Sequence, residues 1–240
     1  MWFLESLRKM INYKNIDEFY KSFMEEVYIA SDMETSGWSK DDFLTYIMLE
    51  YLEDAGEVTE PIMCPFRSYG LQLNAYAIAE DYSSLDIFVC IFSESMTPKS
   101  VSQNDVDTAI KRAIQLYQKA NNDLYTSFEK DNDTYEFAIT VNKQKELIKT
   151  VRVCALTNGL VKPIAFKNIT IGGADVSFSI WDIDRLYRCV SSGKMRETIE
   201  INFEEQYGLV FPVQTNSKRT IQLKHKLRRA GTSAPSIILR

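Results

Sequence analysis

The 240-residue chain carries 45% hydrophobic and 25% charged side chains, a globular rather than a disordered composition, and no apolar run nears the roughly 20 residues that span a bilayer. Its formal net charge of −5 is unevenly spread: from Lys218 to the end there are seven basic side chains and no acidic one, so the rest is strongly acidic. An acidic body repels nucleic acid at long range, which leaves only the basic end as a footprint for it.

In chain order, Met1-Trp2-Phe3-Leu4 meets Glu5, Arg8 and Lys9 too soon to form a secretory core. Ile16, Phe19, Tyr20, Phe23, Met24 and Val27 fall at helical spacing and predict a helix over 16–30, with Asn15 as N-cap and Glu18 completing a capping box. A second helix is expected over Asp41–Ala55, preceded by Ser39, with Asp42 at the capping-box position and Gly56 as its stop.

Residues 70–92 read as a β-hairpin. Leu71, Leu73, Ala75, Ala77 and Ala79 share one face by period two, with Gln72, Asn74 and Tyr76 on the other. The tip is Glu80–Ser84, and the return strand Leu85–Phe92 is apolar almost throughout, as in a strand buried on both faces. Helices follow at about 105–120 and 134–147, the latter with Asp133 and Glu136 at capping-box spacing. Thr150–Thr157 alternates as a strand and stops at the turn dipeptide Asn158-Gly159. Strands at 164–171 and 174–180 flank Gly172-Gly173, a two-residue hairpin turn. Asp182 caps a short helix over 183–192, and short strands near 198–203 and 209–213 close the folded part. This order predicts one α/β domain over residues 1–216, a mixed central sheet flanked by helices, followed by a poorly ordered basic tail over 217–240. Within the tail, 230–235 reads as linker.

The chemistry available to this chain is narrow. The single histidine, His225, lies in the basic tail, so no Ser–His or Cys–His pair can form in the body. Cys64, Cys90, Cys154 and Cys189 are scattered without a CxxC pair, which points to buried thiols in a reducing, cytoplasmic setting and not to zinc. Neither GxxxxGK[ST] nor GxGxxG occurs. Asp182-Ile183-Asp184 follows a strand, but those two acids suit a helix N-cap and first turn better than a metal.

Carboxylates near the first hairpin are the remaining resource. In nucleases of the PD-(D/E)xK arrangement, a helix Glu, a strand Asp and a (D/E)xK strand converge on Mg²⁺. Helix, hairpin and helix come here in that order. Glu50 and Asp54 border the apolar arc of the second helix, the strand acid falls at Asn74, and the triplet is Asp86-Ile87-Phe88. Asn74 is a neutral ligand and Phe88 cannot replace lysine. The catalytic candidates are therefore Glu50, Asp54 and Asp86, with no resident metal expected and Mg²⁺ entering only under a nuclease reading.

Several stretches resemble the N-terminal region of abortive-infection phage-resistance (AIPR) proteins: Leu52–Val58, Gly70–Ile78, Ser84–Val89, Val151–Asn158 and Ser179–Tyr187, the last with its Trp181-Asp182 and Arg185-Leu186-Tyr187 corner. The resemblance covers about residues 40–215. It implies a bacterial antiphage protein, a restriction-endonuclease-like fold, and a further family-defining domain starting near where this chain turns basic. Asn74 stands where family members carry an acid.

Three functions follow as expectations: a non-catalytic defence domain used in assembly or recognition, a metal-dependent nuclease, or a nucleic-acid-binding module working through Lys218, Arg219, Lys224, Lys226, Arg228 and Arg229. The expected partners are nucleic acid or a phage protein, not a membrane, and the aromatic-rich body is compatible with a homo-oligomer.

Overall fold

Two sets of helices close on opposite faces of a sheet whose central strands are apolar on both sides. The structure is a computed structural model and describes residues 13–33, 37–68, 70–130, 132–192, 199–202 and 236–239. The chain divides into two compact units, residues 1–195 and 196–240, each described by itself.

In the first unit α1 (Ile16–Met33) is followed by α2 (Lys40–Asp54), then β1 (Ile62–Ser68), β2 (Leu71–Ile78) and β3 (Ser84–Ile91). Next come β4 (Ser100–Val101), α3 (Gln103–Ala120), a 3₁₀ turn at Leu124–Ser127, and α4 (Asp133–Gln144). The unit ends with β5 (Thr150–Thr157), β6 (Leu160–Val161), β7 (Ile169–Ile171), β8 (Ala174–Trp181) and α5 (Ile183–Ser191). The main sheet has six strands in the order β1-β2-β3-β5-β8-β7, and β4 pairs with β6 in a separate two-stranded ladder. Strands β3, β5 and β8 are mutually parallel, while β1, β2 and β7 join antiparallel, so the α/β architecture with a mixed sheet is realised.

Parallel strands covered on both faces are apolar at nearly every position. Along β3, Phe88 and Cys90 pack with α1, α2 and α5, while Leu85, Ile87 and Val89 pack with α3 and α4. Strand β5 divides the same way, Cys154 and Leu156 to one side and Val151, Val153 and Ala155 to the other. Helix α2 is buried around most of its girth, Leu49 included, because α1 covers the side that the sheet does not.

The helix ends follow most of the expected capping chemistry, although the Glu18 carboxylate accepts from the Lys14 N–H at 3.0 Å instead of closing a box on Asn15. Asn15 Oδ1 accepts from the Glu18 N–H at 2.9 Å, and the Ser39 N–H donates to the Asp42 carboxylate at 3.0 Å. Gly56 takes φ 74°, the left-handed stop beyond α2. Gly172 and Gly173 both take positive φ (60° and 88°) between the paired residues Ile171 and Ala174, as a two-residue turn requires.

Several expectations need correction. The strand over 62–68 was missed because Pro65 interrupts its pattern; it is an edge strand with a bulge, where proline is tolerated. Strand β7 covers only 169–171 instead of 164–171. Helix α4 starts one residue earlier than expected, with Asn132 as its N-cap, because the Asn132 Oδ1 accepts from the Thr134 N–H at 2.8 Å. The period-two face of the first hairpin strand also fails: Leu71, Leu73 and Tyr76 pack with α3 and α4, whereas Ala75 and Ala77 pack with α1 and α2.

The second unit contains β9 (Ile199–Asn202) paired antiparallel with β10 (Ser236–Leu239). The strand expected at 209–213 and the linker at 230–235 lie outside the described residues. No helix among the described residues is long and apolar enough to cross a membrane.

Candidate functional site at the splayed strands

The break in alternation along β2 has a local cause. Met63 pairs with Ala75 and Phe66 with Leu73, so two residues of β1 face the single residue Asn74. On the other side the β2–β3 register runs from Ile78–Leu85 only to Ala75–Phe88. Beyond that point the strands part, and side chains replace the ladder. Asn74 Oδ1 accepts from the Cys90 N–H at 2.8 Å, and the Gln72 side-chain nitrogen donates to the Cys90 carbonyl at 2.9 Å and to Asn74 Oδ1 at 3.1 Å.

The other end of the Asn74 amide points to the start of α2. Its nitrogen donates to Asp42 Oδ1 at 3.0 Å and to Asp41 Oδ2 at 3.4 Å. Both aspartates are 7% exposed, and Asn74 is fully buried. Arg67, paired across from Gln72, forms an ion pair with Asp41. The Ser39 hydroxyl donates to Asp41 at 2.6 Å and to Asp42 at 2.5 Å. Two carboxylates at one helix N-terminus are thus matched by an arginine, an amide, a hydroxyl and a backbone N–H, which is what burial of charge demands. Burial pushes the neighbouring Cys90 thiol up to about 12, against a lowering hydrogen bond from Thr45.

The carboxyl ends of the parallel strands are tied together next to this seam. Asn158 is fully buried and clamps Ser93 from both sides: its nitrogen donates to the Ser93 carbonyl at 2.8 Å, and its oxygen accepts from the Ser93 N–H at 3.0 Å. The Thr157 hydroxyl donates to the Ile91 carbonyl at 2.6 Å. A cavity of about 470 Å³ opens beside these loops, with Gln72 and Cys90 from the seam, Lys99 and Ser100 from β4 and its approach, and Thr108 and Arg112 from α3.

The residues singled out from sequence are not gathered around one point. Asp86 sits in register with Arg152 of β5 and holds it by two bonds, 3.0 and 2.5 Å, while the same guanidinium donates to the Glu57 carbonyl at 3.2 Å. The hydrogen bond that Arg152 donates to Asp86 raises the Arg152 pKa above its ordinary value. Glu50 is half-buried and accepts from the Tyr46 hydroxyl at 2.6 Å; Asp54 is half-buried at the end of α2 and is itself engaged. Asp182 spends one oxygen on the Arg185 N–H at 2.8 Å and the other on the Val161 N–H at 3.0 Å. Among the described residues no group of three or more His, Cys, Asp or Glu side chains is placed to hold a metal ion. Asp86 is thus committed to Arg152 and Glu50 to Tyr46, and no chemical step is routed through a divalent cation. Lys218, Arg219, Lys224, Lys226, Arg228, Arg229 and His225 lie outside the described residues.

Sequence reasoning missed Asp41, Arg67 and Gln72 as a polar set connected through Asn74, and missed the separate clamp that Asn158 makes on Ser93. Gln72 and Asn74 interrupt an otherwise apolar strand, and that interruption was the available signal.

A family model described as the abortive infection phage resistance protein N-terminal domain matches residues 44–188. The chain belongs to this family. The match runs from the first turns of α2 into α5, so it takes in all six strands of the main sheet and the seam between β2 and β3. All five stretches that carried the resemblance lie inside it. No curated protein and no solved structure matches the chain. Membership in the phage-resistance family supports a role in antiphage, abortive-infection defence.

Proposed function

We propose that this phage-resistance domain serves recognition or assembly in abortive infection, on a restriction-endonuclease-like layout whose catalytic positions are given over to internal bonds. The observation that carries the reading is Asn74. It stands where such a nuclease has its strand acid, and both ends of its amide are spent, on Cys90 and on the aspartates of α2. The other two positions agree with it: Phe88, in the place of lysine, is fully buried, and Asp86 is committed to Arg152.

The reading is tested by incubating the folded chain with labelled DNA and RNA in Mg²⁺ or Mn²⁺, beside Asp86→Ala. The expected result is no metal-dependent cutting by either protein. Cutting by the wild-type chain that disappears in the variant would contradict it and return the domain to the nucleases.

A further inference from the structure

The cavity at the carboxyl end of β3 is lined by unspent polar groups. Of its lining residues, Lys99 and Arg112 are exposed, and neither has an acidic partner among the described residues. Asp105, the acid on the same wall, is occupied by the Ser102 hydroxyl at 2.6 Å. Gln72, also in the lining, is 4% exposed and spends its side-chain nitrogen on Asn74 and Cys90. Both of those partners are acceptors, which fixes the amide orientation and leaves Oε1 without a hydrogen-bond partner among the described residues. No fully buried side-chain oxygen is unsatisfied there, so Gln72 Oε1 opens to the cavity it lines. Phe92 and Val101 supply apolar wall.

Two cations without an acidic partner call for a phosphate, a lone buried acceptor calls for an N–H donor, and an apolar wall suits a flat ring. The volume falls within the roughly 300–1,000 Å³ of small-molecule sites. Open α/β sheets bind ligands at the carboxyl ends of their strands. We propose that this cavity binds a 5′-phosphorylated nucleotide, its phosphate on Lys99 and Arg112 and a base N–H donating to Gln72 Oε1. The site is independent of whether the chain cleaves nucleic acid.

Calorimetric titration of the full chain with adenosine 5′-monophosphate tests it. The expected result is a dissociation constant of about 1 mM or tighter, weakened about tenfold by Arg112→Ala and by Lys99→Ala. Both side chains are exposed, so circular dichroism should show these variants folded. The Gln72 contact is tested from the ligand side, without disturbing a buried residue. N6,N6-dimethyl-adenosine monophosphate, which has lost the amine protons, should bind about tenfold more weakly, and ribose 5-phosphate more weakly still. A 5′-phosphorylated tri-adenylate separates the two sources of this chemistry: tighter binding than the mononucleotide marks a strand end, equal or weaker binding a free nucleotide. No heat with adenosine monophosphate up to about 10 mM, affinity unchanged in both variants, or ribose 5-phosphate binding as well as the nucleotide would each overturn the proposal.

Discussion

Asn74 occupies a position where an acid and an alanine would each fail for a different reason. An aspartate would set a third carboxylate against Asp41 and Asp42 and could not donate to them; an alanine would leave the Cys90 N–H and both helix acids short of a partner. Buried groups stripped of a partner cost about 1–3 kcal/mol each, more when charged, so Asn74→Ala should lower unfolding stability by about 3 kcal/mol. Urea unfolding measures this directly, and a loss under about 1 kcal/mol would show that the seam does not depend on this amide. The anomaly was legible in the sequence, since Asn74 is polar within an apolar strand. Its partners were not, because Asp42 lies 32 residues upstream and only the packing of α2 on the sheet brings it near.

At the scale of elements, local chemistry carried most of the information. Apolar periodicity and capping residues placed α1, α2, α3, β3 and β5, and Asn15 and Ser39 cap α1 and α2 as expected, while the N-cap of α3, Ser102, was not anticipated. Elements with weak local signals were missed or misjudged: β1 is interrupted by Pro65, and β4 and β6 are two residues long. Gly159 shows why a turn signal undersells what a turn does. Its role is close approach and not a left-handed backbone, for a Cβ there would stand 2.7 Å from the Lys99 carbonyl and against the Val101 side chain. Gly159→Ala should therefore push β4 off β6 and cost about 2 kcal/mol or more. A melting temperature equal to that of the wild-type chain would refute this packing of the two loops.

Across the whole molecule, one sheet with helical cover on each face was predictable from element order, whereas the pairing of β9 with β10 was not, because the chain between them carries no pattern that predicts their register. Double cover also buries three thiols: burial pushes Cys64 up to about 11, and Cys90 and Cys154 to about 12. The folded chain holds these protons more tightly than the unfolded chain. Their contribution is therefore complete below about pH 9 and is lost as pH rises towards 12, by roughly 1.4 kcal/mol per pH unit for each thiol once the unfolded forms are ionised. Under reducing conditions the urea midpoint should fall between pH 8 and pH 10; an unchanged midpoint would mean that the thiols are not enclosed as described.

If, as proposed, the positions a nuclease would use for catalysis serve here as internal bonds, a single-turnover assay should find no cleavage. The folded chain is held in excess over labelled DNA or RNA with Mn²⁺, with Asp86→Ala alongside. The expected result is intact substrate in both lanes; cutting by the wild-type chain that Asp86→Ala abolishes would overturn the proposed function.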